Sequence, residues 1–139
     1  MTDLPAHPIL EGDAASAWMD LTVETAEKDH AVVRMTVRDE MVNGFGITHG
    51  GMIFAFADSC FALTCNDPDA DGSTITVASG VDVNFLAPTT AGQSLIAEGR
   101  LVSRAGRSGV YDITVTTEDG AVVAVFRGRS RTIPNPAAR

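Results

Sequence analysis

The chain is 139 residues long, 45% hydrophobic and 20% charged, the make-up of an ordinary globular protein long enough to bury a sizeable core. Its formal net charge of −8 and sequence pI near 4.6 argue against a nucleic-acid binder, which would carry a basic footprint. The charge is uneven: seven of the ten Lys and Arg residues (Arg100, Arg104, Arg107, Arg127, Arg129, Arg131 and Arg139) follow residue 99, so a small phosphorylated ligand is compatible with the acidic whole.

In chain order, MTDLPAHPILEGD lacks the positive start and continuous apolar core of a signal peptide. Residues 1–18 read as a lead-in, short helical or irregular, ending at Trp18. DLTVETAE (20–27) alternates apolar and polar residues and predicts a strand; KDH turns it back into AVVRMTV (31–37), completing a hairpin. VNGFGITHGG is a glycine-rich loop, and the apolar run after it predicts a helix ending near Cys65 and Asn66. DPDADGS (67–73) is a turn-rich acidic loop. From there the period is two. ITVASGVDVNFL (75–86) predicts a long strand with Ile75, Val77, Val81, Val83 and Phe85 on one face. QSLIAEGRLVSR (93–104) follows the Pro88 turn, and SGVYDITVTT (108–117) pairs with AVVAVFRGRSRTI (121–133) across EDG. The order predicts an α+β fold in a single domain, residues 1–139, with one long helix against six antiparallel strands.

The helix carries the chemistry. From Met52 to Cys65 its only polar side chains are Asp58, Ser59 and Thr64, so it is apolar nearly all round and must be buried by the sheet or by a second copy. The run is too short to span a membrane. Cys60 and Cys65, five apart, face different ways, which disfavours a mutual disulfide. They read as reduced core thiols, in keeping with a cytoplasmic location.

Asp58 has three readings: a solvated helix edge, a structural carboxylate satisfied in an interface, or a catalytic acid in a cleft. Its neighbours Phe54, Ala55, Phe61 and Ala62 leave no solvated face within one chain, and an unpaired buried carboxylate is costly. Gly50 and Gly51 open the helix, where the first N–H groups lack intrahelical partners and the dipole is positive. Without side chains there, an anion or a carbonyl oxygen gaining charge can approach. The same pair also serves as a plain turn into the helix. His49 either caps that turn or contacts a ligand; with His7 and His30 far away in sequence, no metal-ligand spacing is present. Asn43 alone is an ordinary turn residue.

Gly50 and Asp58 are eight residues apart, about 12 Å along a helix. Reacting atoms must come within about 3.5 Å. If one polarises a carbonyl and the other drives attack on it, they belong to two chains whose helices run past each other in opposite directions.

NGFGITHGGMIFAFADSCFALTCN, residues 43–66, resembles the signature of hotdog-fold thioesterases, nearest to the phenylacetic-acid degradation (PaaI) subgroup. The similarity continues through VDVNFLAP and RAGRSGVYDITVTTEDGAVVAVFRGRSRTI, covering most of residues 15–133. The resemblance implies a hotdog fold, a long central helix wrapped by a curved antiparallel sheet of about six strands. It implies homodimers sharing active sites, assembled as a homotetramer, and hydrolysis of acyl-CoA thioesters without metal or cofactor, coenzyme A being part of the substrate. No nucleic acid or membrane partner is expected. By position, Asp58 is the catalytic carboxylate and Gly50 the oxyanion N–H donor, with Gly51 beside it. His49 and Asn43 contact the thioester or place the water. Ser59 stands where the subgroup often has Thr. Arg104, Arg107 and Ser108 suit the coenzyme A phosphates, and Asn84, Phe85, Leu86 and Pro88 the cleft near the acyl group. Arg127, Arg129 and Arg131 alternate onto one face of the last strand, a solvated outer face or a subunit contact. The implied acyl group is (hydroxy)phenylacetyl or a related aryl or short acyl. The rival readings are a hotdog hydratase or dehydratase, which needs a His acting with a carboxylate in another motif, and a non-catalytic acyl-CoA-binding module, which tends to lack the helix acid.

Overall fold

A computed structural model of the chain describes residues 6–137. Its elements are α1 (Ala14–Met19), β1 (Thr22–Glu27), β2 (His30–Thr36), α2 (Gly50–Cys65), β3 (Thr74–Phe85), β4 (Ser94–Ala105), β5 (Ser108–Thr117) and β6 (Val122–Pro134). Each strand lies within two residues of its expected place. The lead-in resolves into a 3₁₀ turn at Pro8–Leu10 and α1, capped by Asp13, whose Oδ1 accepts from the Ser16 N–H at 3.0 Å; the part of the lead-in at residues 1–5 lies outside the described residues.

The six strands form one antiparallel sheet in the order β1-β2-β4-β5-β6-β3. β3 follows α2 in sequence, yet it crosses to the far edge and, among the described residues, pairs only with β6. The sheet wraps α2, which contributes Ile53, Phe56, Ala57, Cys60, Phe61, Leu63, Thr64 and Cys65 to the core. They pack on the inward residues of the strands, Val33, Met35, Leu95, Ala97, Ile113, Val115 and Phe126 among them. This is the hotdog arrangement. Each large aliphatic or aromatic side chain so buried contributes about 1.5–3 kcal/mol.

Two glycines let the helix lie this close. Gly128 on β6 sits between Tyr111 on β5 and Val81 on β3, and a Cβ there would meet the Phe61 ring at 2.6 Å. Gly99 on β4 would in the same way collide with Thr64, whose hydroxyl donates to the Cys60 carbonyl at 2.7 Å. Phe61 uses the space to reach Tyr111 and Phe126, with ring centroids 5.8 and 5.7 Å apart.

Two expectations need correction. Ile75, Val77, Val81, Val83 and Phe85 do not share a face: a register shift between Ala78 and Gly80 inserts Ser79 as an extra residue. Val81, Val83 and Phe85 pair with the inward Gly128, Phe126 and Ala124, whereas Ile75 and Val77 pair with Ile133 and the outward Arg131. A one-residue bulge exchanges the faces of everything on one side of it. Nor is Asp58 without a solvated face in a single chain. Sheet and α1 cover only part of α2, and Gly51, Phe54, Ala55, Asp58 and Ala62 form an uncovered or half-covered stripe.

The outer sheet face carries Arg127 and Arg129 as the alternation required, paired with Asp112 (2.7 and 2.8 Å) and Asp82 (3.2 Å). Cys60 and Cys65 are both free and buried, and burial pushes each thiol up to about 12, which keeps them unreactive core residues.

Gly128→Ala is expected to destabilise the fold by about 1–3 kcal/mol, the usual cost of overpacking a tight core. Urea unfolding followed by circular dichroism measures it, with the outward Gly80→Ala as a reference, where the nearest atoms a Cβ would meet belong to the flexible end of the Arg129 side chain.

Candidate active site

Three segments converge at the start of α2. Asn43 folds its own loop: its Oδ1 accepts from the N–H of Phe45 (2.9 Å) and Ile47 (3.4 Å), and its backbone N–H donates to the Ile47 carbonyl (2.8 Å). With Oδ1 engaged, the side-chain N–H₂ remains as the donor group. The segment then passes Thr48, whose hydroxyl meets that of Thr89 at 2.7 Å in a buried pair and whose N–H donates to the Thr89 carbonyl at 2.8 Å. That clamp fixes the loop after β3 against the helix start. Asn43, Gly50, Ile53, Phe85, Leu86 and Pro88 thereby line one mostly apolar cleft of about 460 Å³.

His49 is the N-cap of α2. Its Nδ1 accepts from the Gly51 N–H at 3.0 Å, so in the neutral ring Nε2 carries the proton. The Gly51 N–H is thus spent on the cap. The Gly50 N–H has no acceptor among the described residues, and Gly50 lines the cleft directly. The Phe85 ring stands over it, 3.4 Å from where a Cβ would be. A donor at the positive end of a helix, in an apolar recess, is suited to hold an oxygen on which negative charge develops.

Asp58 lies two turns further along α2, half-buried, with no hydrogen-bond partner among the described residues. Partial burial raises its pKa above the ordinary 3.8 by desolvation alone. Ser59 faces α1 instead: its hydroxyl meets that of Ser16 at 2.9 Å, which in turn donates to Asp13 at 2.7 Å. Eight residues of helix keep Asp58 about 12 Å from the Gly50 of its own chain.

The remaining candidate residues lie elsewhere in the chain. Asn84 pairs with Val125 on the outer sheet face and lines a recess there with Asp82, Asp112 and Arg127, so it does not join Phe85 in the cleft; adjacent strand residues point to opposite faces. Arg104, Arg107 and Ser108 border a second cavity of about 360 Å³ beside Cys65 and Asn66, at the opposite end of α2. A sixteen-residue helix puts that end about 24 Å from Gly50. Arg104 is already engaged there, by the Asp29 carboxylate and, at 3.0 Å, the Tyr111 hydroxyl. Arg107 makes no salt bridge among the described residues. Sequence reasoning missed Thr48 and Thr89, since a pair 41 residues apart leaves no local trace, and Ile53 and Val123, which look like plain core residues. Among the described residues no His, Cys, Asp or Glu side chains group as metal ligands would, and no helix is long and apolar enough to cross a membrane.

A helix start with an open N–H, set in a sheet that wraps the helix, together with a lone carboxylate on the helix, is the equipment of a thioester hydrolase. The chain belongs to the Thioesterase superfamily, whose family description matches residues 45–124. It is similar to the acyl-coenzyme A thioesterase PaaI of Escherichia coli, at 36% identity over 92% of this chain and 89% of that one. The solved structure of that PaaI superposes with a TM-score of 0.85, covering 91% of this chain and 89% of that one at 35% identity. A mutant of the phenylacetic acid degradation protein PaaI from Thermus thermophilus matches with a TM-score of 0.74 at 30% identity, over 89% and 97%. A Streptococcus mutans protein solved bound to acetyl CoA matches at 0.73 and 26%, over 83% and 90%.

The raised pKa of Asp58 has a thermodynamic sign. The folded state holds this proton more tightly than the unfolded state, so the ionised carboxylate costs stability above the raised value. That cost fades as pH falls through it toward 3.8. Asp58→Asn is therefore expected to be more stable than the wild type at pH 7, with the gain shrinking on acidification. Paired urea titrations at pH 7 and pH 4 check this; a gain that grows toward acid pH contradicts it.

Proposed function

We propose that the chain hydrolyses acyl-CoA thioesters to free acid and coenzyme A, with an arylacetyl group such as (hydroxy)phenylacetyl, or a related aryl or short acyl group, as the acyl part. The observation that carries this is the open Gly50 N–H in an apolar cleft, on the same helix as an unpartnered, partly desolvated Asp58. The PaaI relatives and the acetyl CoA bound by the Streptococcus mutans protein support the substrate class. Phe85, Leu86, Ile53 and Pro88 offer the acyl group an apolar, partly aromatic wall.

In this reading the site is completed by a second chain. The thioester carbonyl lies at the start of one α2, and its oxygen takes the Gly50 N–H as charge builds; one such donor is worth about 3 kcal/mol in the transition state. The partner's Asp58 supplies the attack. As general base it takes a proton from water, whose oxygen bonds to the carbonyl carbon; collapse of the tetrahedral adduct breaks the C–S bond and releases the coenzyme A thiolate, which takes up a proton. As nucleophile its carboxylate oxygen displaces the thiolate to give a mixed anhydride that water then cleaves. Both routes need a carboxylate that is poorly hydrated and unpaired. Asn43 Nδ2 in the cleft lining and His49 Nε2 at the helix start are the donors this reading assigns to the thioester or the water. The reaction draws on no cofactor.

An antiparallel partner helix places its Cys65 seven residues, about 10 Å, beyond the Gly50 of the first chain. The partner's Arg107 and Ser108, with Arg104 held by Asp29, then lie on the side toward which an extended pantetheine arm would run. These residues take the coenzyme A phosphates, and two such dimers make the homotetramer.

Thiol release from a panel of acyl-CoAs tests the proposal. Wild type is expected to turn over, with arylacetyl-CoAs among the best substrates, and Asp58→Ala to lose at least about a hundredfold in kcat. Mixing Asp58→Ala with Gly50→Val, each inactive alone, is expected to restore part of the activity through heterodimers. A folded wild type that binds acyl-CoA without turnover would make the chain a binding module; full activity in Asp58→Ala would make the carboxylate structural.

A further inference from the structure

The contact between Thr48 and Thr89 is doubled. The Thr48 N–H donates to the Thr89 carbonyl at 2.8 Å, and the two buried hydroxyls meet at 2.7 Å. One hydrogen bond leaves rotation about its own axis; a second removes it. Of the two hydroxyl protons one lies between the oxygens, and the other has no acceptor among the described residues. Two valines would fill the same space, and replacing both partners of a buried hydrogen bond by apolar groups of the same shape is close to neutral for stability. Folding alone therefore does not call for the hydroxyls. Thr48 stands two residues before Gly50, and Thr89 directly follows Phe85, Leu86 and Pro88, the apolar wall of the cleft. That wall has little packing of its own, Phe85 being 54% and Leu86 59% exposed. Its backbone is tied at Leu86, whose N–H donates to the Val123 carbonyl at 2.8 Å, and again at Gly92, whose N–H donates to the Val37 carbonyl at 2.8 Å. Between these ties Thr89 holds it.

We infer that the Thr48–Thr89 hydroxyl pair is a positioning device that sets the acyl selectivity of the cleft. It holds the wall of Phe85, Leu86 and Pro88 at a fixed distance and angle from Gly50, and neither hydroxyl touches a reacting atom. The inference rests on the function proposed above in that the thioester carbonyl lies at Gly50 and the acyl group runs along the wall. An acetyl group carries one methyl beyond the carbonyl and hardly reaches the wall, whereas an arylacetyl group lays a ring on it. The ring therefore feels a shift of the wall, and a misplacement of about 1 Å can cost a hundredfold in rate. The Phe85 ring stands 3.4 Å from where a Gly50 Cβ would be, so slack between the two loops falls directly on the acyl subsite. Gly50 itself is held by bonds that do not pass through Thr89. The His49 N–H donates to the Met41 carbonyl at 2.7 Å, and the His49 ring takes the Gly51 N–H. The pair thus acts on the wall more than on the oxyanion donor.

Two variants test it. Thr48→Val with Thr89→Val removes the pair and keeps its shape; Thr89→Ser keeps the hydroxyl. The ratio of kcat/KM for phenylacetyl-CoA to that for acetyl-CoA gives the selectivity. The double variant is expected to stay folded, with a urea midpoint close to the wild type's, and to lose about tenfold in that ratio, within the range that misplacement costs. Thr89→Ser is expected to keep the ratio. A merely structural role would lower both substrates by one factor, so equal losses overturn the inference. It is also overturned by a folded double variant that keeps the wild-type ratio, by a Thr89→Ser that loses it, and by a double variant that does not fold. Calorimetry with S-(2-phenylethyl)-CoA and S-ethyl-CoA, thioethers that cannot be hydrolysed, reads the same preference as affinities. If the wild type hydrolyses neither thioester yet prefers the phenylethyl thioether, and the double variant loses that preference, the enzyme falls and the positioning role stands. A wild type without phenyl preference in either assay overturns the inference, whether or not it hydrolyses.

Discussion

The structure depends on one packing contact, α2 laid against the inner face of the sheet at a distance that only glycine permits. Phe61 and Thr64 press into Gly128 and Gly99 on two different strands, so the helix is seated in two sockets rather than on a flat surface. Seating fixes its rotation. Once Phe56, Phe61 and Cys60 face the sheet, Asp58 and Phe54 face away from it, and Gly50 is delivered to the cleft beside Phe85. A different rotation of the same helix would bury the carboxylate among aromatic rings, at a cost of several kcal/mol.

The ends of α2 are treated unequally. At its N-terminus, hydrogen bonds hold the backbone in place while leaving one donor open: Asn43 closes its own loop, the Thr48 and Thr89 hydroxyls clamp two loops together, and His49 takes the Gly51 N–H. At its C-terminus the capping side chain is fully engaged. Asn66 uses its side chain on the Ala62 and Thr76 carbonyls and the Thr76 N–H, and His7 donates to the Asn66 carbonyl at 2.7 Å.

Much of this was legible in the sequence because it is local. The helix limits, the period-two strands and the apolar run interrupted by Asp58 lie within windows that a reader can scan, and the spacing from Gly50 to Asp58 is a distance once the helix is granted. What could not be read is what depends on pairing between distant segments. The Ser79 bulge is invisible because ITVASGVDV alternates plausibly on either register, yet it turns Ile75 and Val77 outward. Asn84 sits in a string with Phe85 and Leu86, but alternation sends it through to the other side of the sheet. Arg104 looks like a free cation until Asp29, 75 residues earlier and left-handed at φ 63°, is folded back beside it. The half-open state of Asp58 likewise depends on how far a curved sheet reaches around a helix.

The crossing of β3 to the edge bears on the order in which the chain can fold. β1 and β2, β4 and β5, and β5 and β6 are joined by short turns, whereas β2 pairs with β4 across α2 and β3, and β3 leaves α2 with no partner until β6, the last strand described, has formed on β5. Helix α2 is therefore synthesised next to a strand that cannot yet shield it, and an apolar helix and a bare strand edge are the two surfaces most prone to join other chains. Contacts so distant in sequence fold slowly. The interval before β6 docks is therefore when this chain most exposes surface on which aggregation can begin.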